Sequence, residues 1–132
     1  MMQIDETNYV DKAEKAIKEL ASMKNEKTGR LIPVVTTSKI RNLLAMVSDI
    51  YNDVNNNKDE KLSNDIVGRI GYMKLRFYYE AGREAGVKNL LTTANVLKII
   101  DEIGNSRSNF ILFSRYMEAL VAFRKFYVGK DD

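Results

Sequence analysis

Apolar residues recur at intervals of three and four along most of the chain, a spacing that predicts amphipathic α-helices. The first helix is predicted to begin at Thr7 or Asn8, because either side chain can cap a helix start. Charges of opposite sign alternate between its apolar positions, as expected of a helix whose outer faces meet water. The apolar positions themselves are Val10, Ala13, Ile17 and Leu20.

A second helix is predicted after a connector at 24–36, which contains Gly29 and Pro33. Thr37 or Ser38 can serve as its N-cap. The positions predicted to face the interior are Ile40, Leu43, Leu44, Val47, Ile50, Tyr51 and Val54.

Three further helices are predicted from the same periodicity. The third begins near Leu62 and ends within 82–86, with Gly68 and Gly71 as expected sites of close packing. Its buried positions are Leu62, Ile66, Ile70, Met73 and Phe77. The fourth surrounds Leu90, Ala94, Leu97 and Ile100, and Gly104-Asn105 closes it. The last helix, from about Ser106 to Val128, is apolar nearly all round and is therefore expected at the centre.

The predicted fold is all-α, a compact single-domain bundle of about five helices that spans 1–132, with frayed ends at 1–8 and 129–132. Hydrophobic residues make up 45% of the 132 residues and charged residues 30%, which is typical of a globular protein. The charged N-terminal segment lacks the apolar stretch of a signal peptide, and no run of about 18 apolar residues occurs. We expect a cytoplasmic protein without a membrane partner.

The composition argues against most catalytic chemistry. The chain contains no Cys and no His, so it lacks thiolate nucleophiles, Cys/His zinc sites and histidine relays. Segment 53–64 matches the first three ligand positions of a calcium-binding EF-hand loop. However, Lys58 replaces the required Gly of that loop and Asn64 replaces its bidentate Glu. We predict a protein that is not an enzyme and has no metal site and no cofactor.

The third helix carries a second stripe beside its apolar face. Arg69, Tyr72, Arg76, Tyr79 and Arg83 fall within about 80° of one another around the helix axis. Glu80 falls just outside this Arg/Tyr stripe, towards the core. Three interpretations remain open at this point: a packed surface rim, a protein-binding surface, or a row of phosphate contacts with aromatic neighbours.

The start of the second helix is another candidate anion site, because free N–H groups at a helix start attract negative charge. Thr36, Thr37, Ser38, Lys39 and Arg41 cluster there. Capping alone is the simpler explanation of the Thr/Ser run. Lys39 and Arg41 lie about 160° apart around the helix, so they cannot form one flat patch.

Three segments together resemble a known family: TTSKIRNLLAMVSDIYN (36–52), YYEAGR with VKNLL (78–91), and FSRYMEALVAFRKFY (113–127). The chain resembles the small subunit of the type III-A CRISPR (Csm) effector complex over about 9–128. The resemblance implies a non-catalytic, all-helical subunit of an antiviral system, several copies of which stack as a filament. It also implies partners: target RNA, the guide crRNA, the backbone ribonuclease subunit and the large polymerase-type subunit.

Carried onto the matching motifs, the resemblance makes basic residues the candidate RNA contacts: Lys39, Arg41, Arg76, Arg83 and Lys88. The stripe geometry adds Arg69. Lys74 is a weaker candidate, since it projects nearer the core and would have to extend outwards to reach a phosphate. The alternative function is a helical protein–protein adaptor that makes no direct RNA contact.

Overall fold

A computed structural model describes residues 2–130, and these residues confirm the all-α class. They form six helices: α1 (Tyr9–Ser22), α2 (Thr37–Asn56), α3 (Asn64–Arg83), α4 (Ala85–Thr93), α5 (Val96–Ile103) and α6 (Arg107–Tyr127). Within residues 2–130 the only β pairing is two isolated bridges, Lys24 with Leu31 and Lys61 with Ser106. None of the helices in this part of the chain is long and apolar enough to cross a membrane.

The fourth predicted helix is in fact two helices. α4 ends at Thr93 and α5 begins at Val96, and Asn95 between them adopts a left-handed backbone conformation with φ 57°. Asparagine tolerates this conformation better than most residues, so it can turn the chain between two apolar segments. The break lets Ala94 and Val96 both lie in the core, which explains why the apolar pattern looked continuous.

α6 packs against α1, α2 and α5, which agrees with its predicted central position. Its buried side chains include Phe110, Phe113, Met117 and Leu120. α1 buries the predicted Ala13, Ile17 and Leu20, but Val10 is exposed, so that prediction was wrong.

Two helix starts differ from the predictions because other residues cap them. The Thr36 hydroxyl, and not that of Thr37 or Ser38, accepts a hydrogen bond from the Lys39 backbone N–H at 3.2 Å. Ser63 caps α3 in the same way, so this helix begins at Asn64, two residues after Leu62. Ser106 caps α6 by accepting from the Asn109 N–H, at the predicted boundary.

The segment before α1 is tied to the rest of the fold, although we expected a frayed end. Ile4 is buried in the core, and the Gln3 backbone N–H donates to Glu102 Oε1 at 3.0 Å. Asn95 Nδ2 also donates to Gln3 Oε1 at 2.6 Å. Of the two predicted frayed ends, residues 1 and 131–132 lie outside the described residues.

The connector between α1 and α2 is exposed at first and then enters the core at Val35. Gly86 of α4 allows this entry, since a Cβ at Gly86 would lie 2.9 Å from backbone atoms of Val34 and Val35. The prediction that Gly68 and Gly71 are sites of close packing was wrong, because a Cβ at either position would meet nothing within 4 Å.

Candidate nucleic-acid interface

The Arg/Tyr stripe lies on α3 beside the buried face of that helix, with Arg69 and Arg76 half-buried along its inner edge. Tyr72 and Tyr79 are 63% and 54% exposed, whereas Met73 and Phe77 are buried in the core. The first turn of α3 is fixed by its Ser63 cap, and the apolar period then orients the following turns. The stripe is therefore a separate surface, accessible to a macromolecular ligand.

Two arginines of the stripe contact the same aromatic ring. The guanidinium carbon of Arg76 lies 5.2 Å from the centre of the Tyr79 ring, and that of Arg83 lies 5.6 Å from it. A cation near an aromatic face is attracted by the ring quadrupole, by roughly 0.5–1 kcal/mol at exposed sites. Tyr79 therefore helps to hold both guanidinium groups near the surface, and its ring is partly covered by them.

A buried carboxylate brings three of the predicted RNA-binding residues together. Glu80 is 7% exposed. Its carboxylate oxygens lie 3.5 Å from Arg76 Nη2, 3.8 Å from Arg83 Nη1 and 3.7 Å from Lys39 Nζ. We call these four residues the Glu80 cluster. Three cations around one anion leave the cluster with a formal charge of +2.

The Glu80 cluster was only partly visible in the sequence. Arg76 and Glu80 are four residues apart and Glu80 and Arg83 are three apart, so their pairing could have been predicted from helical spacing. Lys39 comes from α2, and its contact with Glu80 depends on how α2 packs against α3. Helical spacing predicts Glu80 outside the stripe, and the sequence pattern alone indicates no role for it.

Arg69 lies about 10 Å from Arg76 along the axis of α3, two helical turns away. Its guanidinium forms an ion pair with Asp53 and donates to the Asp49 carbonyl of α2 at 3.3 Å. These contacts hold Arg69 to α2, so the structure does not bring it into the Glu80 cluster.

Arg41 and Lys88 are exposed on α2 and α4. Within residues 2–130, neither side chain forms an ion pair or a hydrogen bond, so both are accessible cations outside the Glu80 cluster. Lys74 differs from them, because it forms an ion pair with Asp101. The hydrogen bond to Asp101 raises the pKa of Lys74 above its usual value.

The start of α2 is built for capping. The Thr36 hydroxyl already satisfies the Lys39 N–H, which is one of the donors that an anion would need. This favours the capping interpretation of the Thr/Ser run at 36–38. The Lys39 side chain is not directed at the helix start, because it contacts Glu80 as part of the Glu80 cluster.

An open groove runs between α2 and α3 beside the stripe. It has a volume of about 560 Å³. Met46, Ile50 and Met73 provide apolar surface in the groove, and Tyr72 and Arg76 also line it. In the described part of the chain, no three acidic side chains are close enough together to hold a metal ion. The site thus combines exposed cations, exposed aromatic rings and an apolar groove.

The fold and this surface together describe a small all-helical protein with an exposed basic and aromatic face. Comparison with known proteins identifies the family. Residues 6–130 match the family model Csm2 Type III-A. The chain therefore belongs to the Csm2 family of type III-A CRISPR systems, and the resemblance found in the sequence is confirmed.

Individual relatives support the same assignment. The CRISPR system Cms protein Csm2 of Streptococcus thermophilus is 43% identical over 131 residues, which cover 99% of this chain and 100% of the relative. The Mycobacterium tuberculosis protein of that name is 32% identical over 98% of this chain and 99% of its own length. For the Enterococcus italicus protein of that name, the values are 40% identity, 70% of this chain and 68% of the relative.

Proposed function

We propose that this chain is a non-catalytic subunit that holds the backbone of target RNA, paired with guide crRNA, in the type III-A complex. The observation that carries the proposal is the Glu80 cluster, in which two helices present three cations around one buried carboxylate. Arginine suits this role because its planar fork donates two hydrogen bonds to one phosphate. As a CRISPR subunit it would act in the cytoplasm, in defence against invading nucleic acid.

The proposed contacts are independent of RNA sequence. Phosphate contacts position a nucleic acid, whereas pairing between guide and target reads its sequence. With a net charge of only +3, one copy should bind RNA weakly. Several copies stacked as a filament would present the Glu80 cluster repeatedly along one RNA, and the high effective concentration would strengthen binding. The backbone ribonuclease subunit and the large polymerase-type subunit are the proposed protein partners.

The other candidate residues are proposed to play unequal parts. Arg41 and Lys88 are exposed and can each meet a phosphate without giving up another contact. Arg69 would first have to leave Asp53, so we propose that it contributes less.

The test compares complexes reconstituted with wild-type or variant subunits. Arg76→Gln/Arg83→Gln removes two cations and leaves Lys39 to neutralise Glu80. Reversal to Glu would instead add two acids around a carboxylate that is already buried. If each arginine–phosphate interaction is worth roughly 1 kcal/mol, target-RNA affinity should fall by about tenfold or more. The plot of log affinity against log salt should become less steep by about 0.7–0.9 for each phosphate that the variant no longer neutralises.

The matched control is Lys15→Gln/Lys98→Gln, which removes the same charge from exposed positions on α1 and α5. This control should change the affinity for target RNA by less than about twofold, because it only lowers the long-range positive electrostatic potential of the subunit. Circular dichroism of both double variants checks the fold. Equal target-RNA affinity in the wild-type and Arg76→Gln/Arg83→Gln complexes would overturn the proposal.

A second candidate function is supported by the apolar groove. The groove could instead bind an apolar surface of another subunit, as expected of a helical adaptor. Its apolar lining is formed by Met46, Ile50 and Met73, next to the exposed Tyr72. In that case Arg76→Gln/Arg83→Gln would impair assembly of the complex, and those complexes that do assemble would bind target RNA normally.

A further inference from the structure

We infer that Glu80 is a positioning residue that preforms a phosphate-binding site from Lys39, Arg76 and Arg83. This inference rests on the proposed function. The geometry behind it is that the Glu80 side chain, which is only 10% exposed, lies within 4 Å of cationic nitrogens from two different helices. No other acidic residue in 2–130 is buried.

The cations that Glu80 contacts still face solvent. The side chains of Lys39, Arg76 and Arg83 are 27%, 41% and 54% exposed. Each arginine uses one Nη atom towards Glu80. A guanidinium has five N–H donors, so each arginine retains donors for a phosphate oxygen. The cluster can therefore hold its internal ion pairs and an RNA phosphate at the same time.

Positioning matters because free Lys and Arg side chains are flexible. Fixing one of them costs up to about 2 kcal/mol of side-chain entropy. When Glu80 and the Tyr79 ring already restrict Arg76 and Arg83, part of this cost is met during folding and no longer opposes RNA binding. The excess of two positive charges keeps the cluster attractive to a phosphate in spite of the carboxylate.

The alternative to a positioning role is that Glu80 only neutralises the charge of its neighbours. The two explanations predict opposite effects of Glu80→Gln, which keeps the shape of the side chain and raises the net charge by one. If Glu80 merely neutralises, the variant should bind RNA more tightly. If Glu80 positions the cations, the variant should bind more weakly although it is more basic.

We expect complexes that carry Glu80→Gln to bind target RNA about three- to tenfold more weakly than wild type. The matched control is Glu118→Gln, which makes the same charge change at an exposed site on α6 and should bind RNA as tightly as wild type or slightly more tightly. A thermal melt of each subunit checks that the fold is kept.

A second measurement compares arginine side chains within the wild-type chain. Heteronuclear NOE values of the arginine Nε–H groups report motion on the ps–ns timescale. Arg76 and Arg83 should be clearly more rigid than Arg41, which is exposed and outside the cluster. In Glu80→Gln, Arg76 and Arg83 should approach the mobility of Arg41.

The outcomes separate this inference from the proposed function. If Arg76→Gln/Arg83→Gln leaves RNA binding unchanged, both fail. If that double variant weakens binding but Glu80→Gln binds as tightly as wild type or tighter, only the positioning role fails. Arg76 and Arg83 that are as mobile as Arg41 in the wild-type chain would also overturn the positioning role, even if Glu80→Gln could not be purified as a folded protein.

Discussion

Two charged side chains are buried among residues 2–130, and they serve different regions of the molecule. Arg124 of α6 is 2% exposed. It donates from Nε to the Val35 carbonyl at 2.9 Å and from Nη1 to the Gly129 carbonyl at 2.6 Å. Glu80 of α3 is 7% exposed, and its three cationic partners stay in contact with solvent.

These different partners indicate different roles for the two buried charges. Arg124 donates to one backbone carbonyl of the connector and to one of the segment after α6, so it joins both segments to the central helix. Removing it would leave the buried Val35 carbonyl and the partly buried Gly129 carbonyl without that donor, which is costly. Glu80 bonds to side chains at the surface, and its removal would leave cations that water can solvate. Arg124 should therefore matter for stability and Glu80 for binding.

The largest expected effect is that of Arg124→Met. The variant keeps much of the side-chain volume but removes the donors to the Val35 and Gly129 carbonyls. We expect a loss of about 3 kcal/mol in the free energy of unfolding and a fall in Tm of roughly 10 °C. Chemical denaturation and a thermal melt followed by circular dichroism measure both values.

Arg115→Met is the matched control, because Arg115 is an exposed arginine on the same helix. Its free energy of unfolding should stay within about 0.5 kcal/mol of wild type. Similar small effects of the two variants would show that Arg124 does not hold the connector.

Gly86→Ala tests the same connector region from α4. The added Cβ would lie 2.9 Å from Val34 and Val35 backbone atoms, so the backbone must move. We expect a loss of about 2 kcal/mol in the free energy of unfolding. Gly71→Ala is the control, since its Cβ meets nothing and alanine favours a helix interior. That variant should be more stable by roughly 0.5–1 kcal/mol, and a loss of stability comparable to that of Gly86→Ala would contradict the account.

Tyr116 extends the comparison to a buried group that is neutral at pH 7. Its hydroxyl donates to the Ala94 carbonyl at 2.8 Å, and burial raises the pKa of Tyr116 to about 12. The native state therefore keeps the phenolic proton at pH values where the unfolded chain, with a pKa of about 10, loses it. The corresponding stability is fully present below pH 10 and is lost as pH rises through 12.

Between pH 9 and pH 11, the wild-type chain should lose about 1.4 kcal/mol more in the free energy of unfolding than Tyr116→Phe does. Urea denaturation of both proteins at each pH measures this difference. Parallel pH dependences would show that the phenol of Tyr116 does not titrate as the buried geometry requires.

The smallest expected effect on stability is that of Glu80→Gln. Its partners are partly exposed and 3.5–3.8 Å away, so the ion pairs contribute little to folding. We expect a change of less than about 1 kcal/mol in the free energy of unfolding. A loss as large as that of Arg124→Met would remove the contrast between the two buried charges.

The sequence predicted the local features of this contrast and missed the long-range ones. The periodicity located α2, α3 and α6, and it placed Glu80 towards the core. It did not reveal the contacts of Lys39 with Glu80, Arg69 with Asp53, or Arg124 with Val35, because each joins different elements of the fold. Helical spacing describes neighbours within one helix, whereas these contacts depend on how helices pack.

The break between α4 and α5 has another physical cause. An apolar pattern that runs through 90–103 predicts one helix, and only the left-handed backbone of Asn95 divides it. A single asparagine is compatible with a helix interior as well as with a turn, so composition alone could not decide between them.

Site-specific photocrosslinking in the assembled complex can determine whether the part of the stripe formed by Arg76, Tyr79 and Arg83 faces RNA. A benzophenone amino acid at Tyr79 should crosslink to labelled target RNA, because Tyr79 lies between Arg76 and Arg83 in sequence and contacts both. The same amino acid at Phe126, which is 79% exposed at the end of α6, provides the control and should give little RNA crosslink. Crosslinks from position 79 to protein subunits alone would contradict the account.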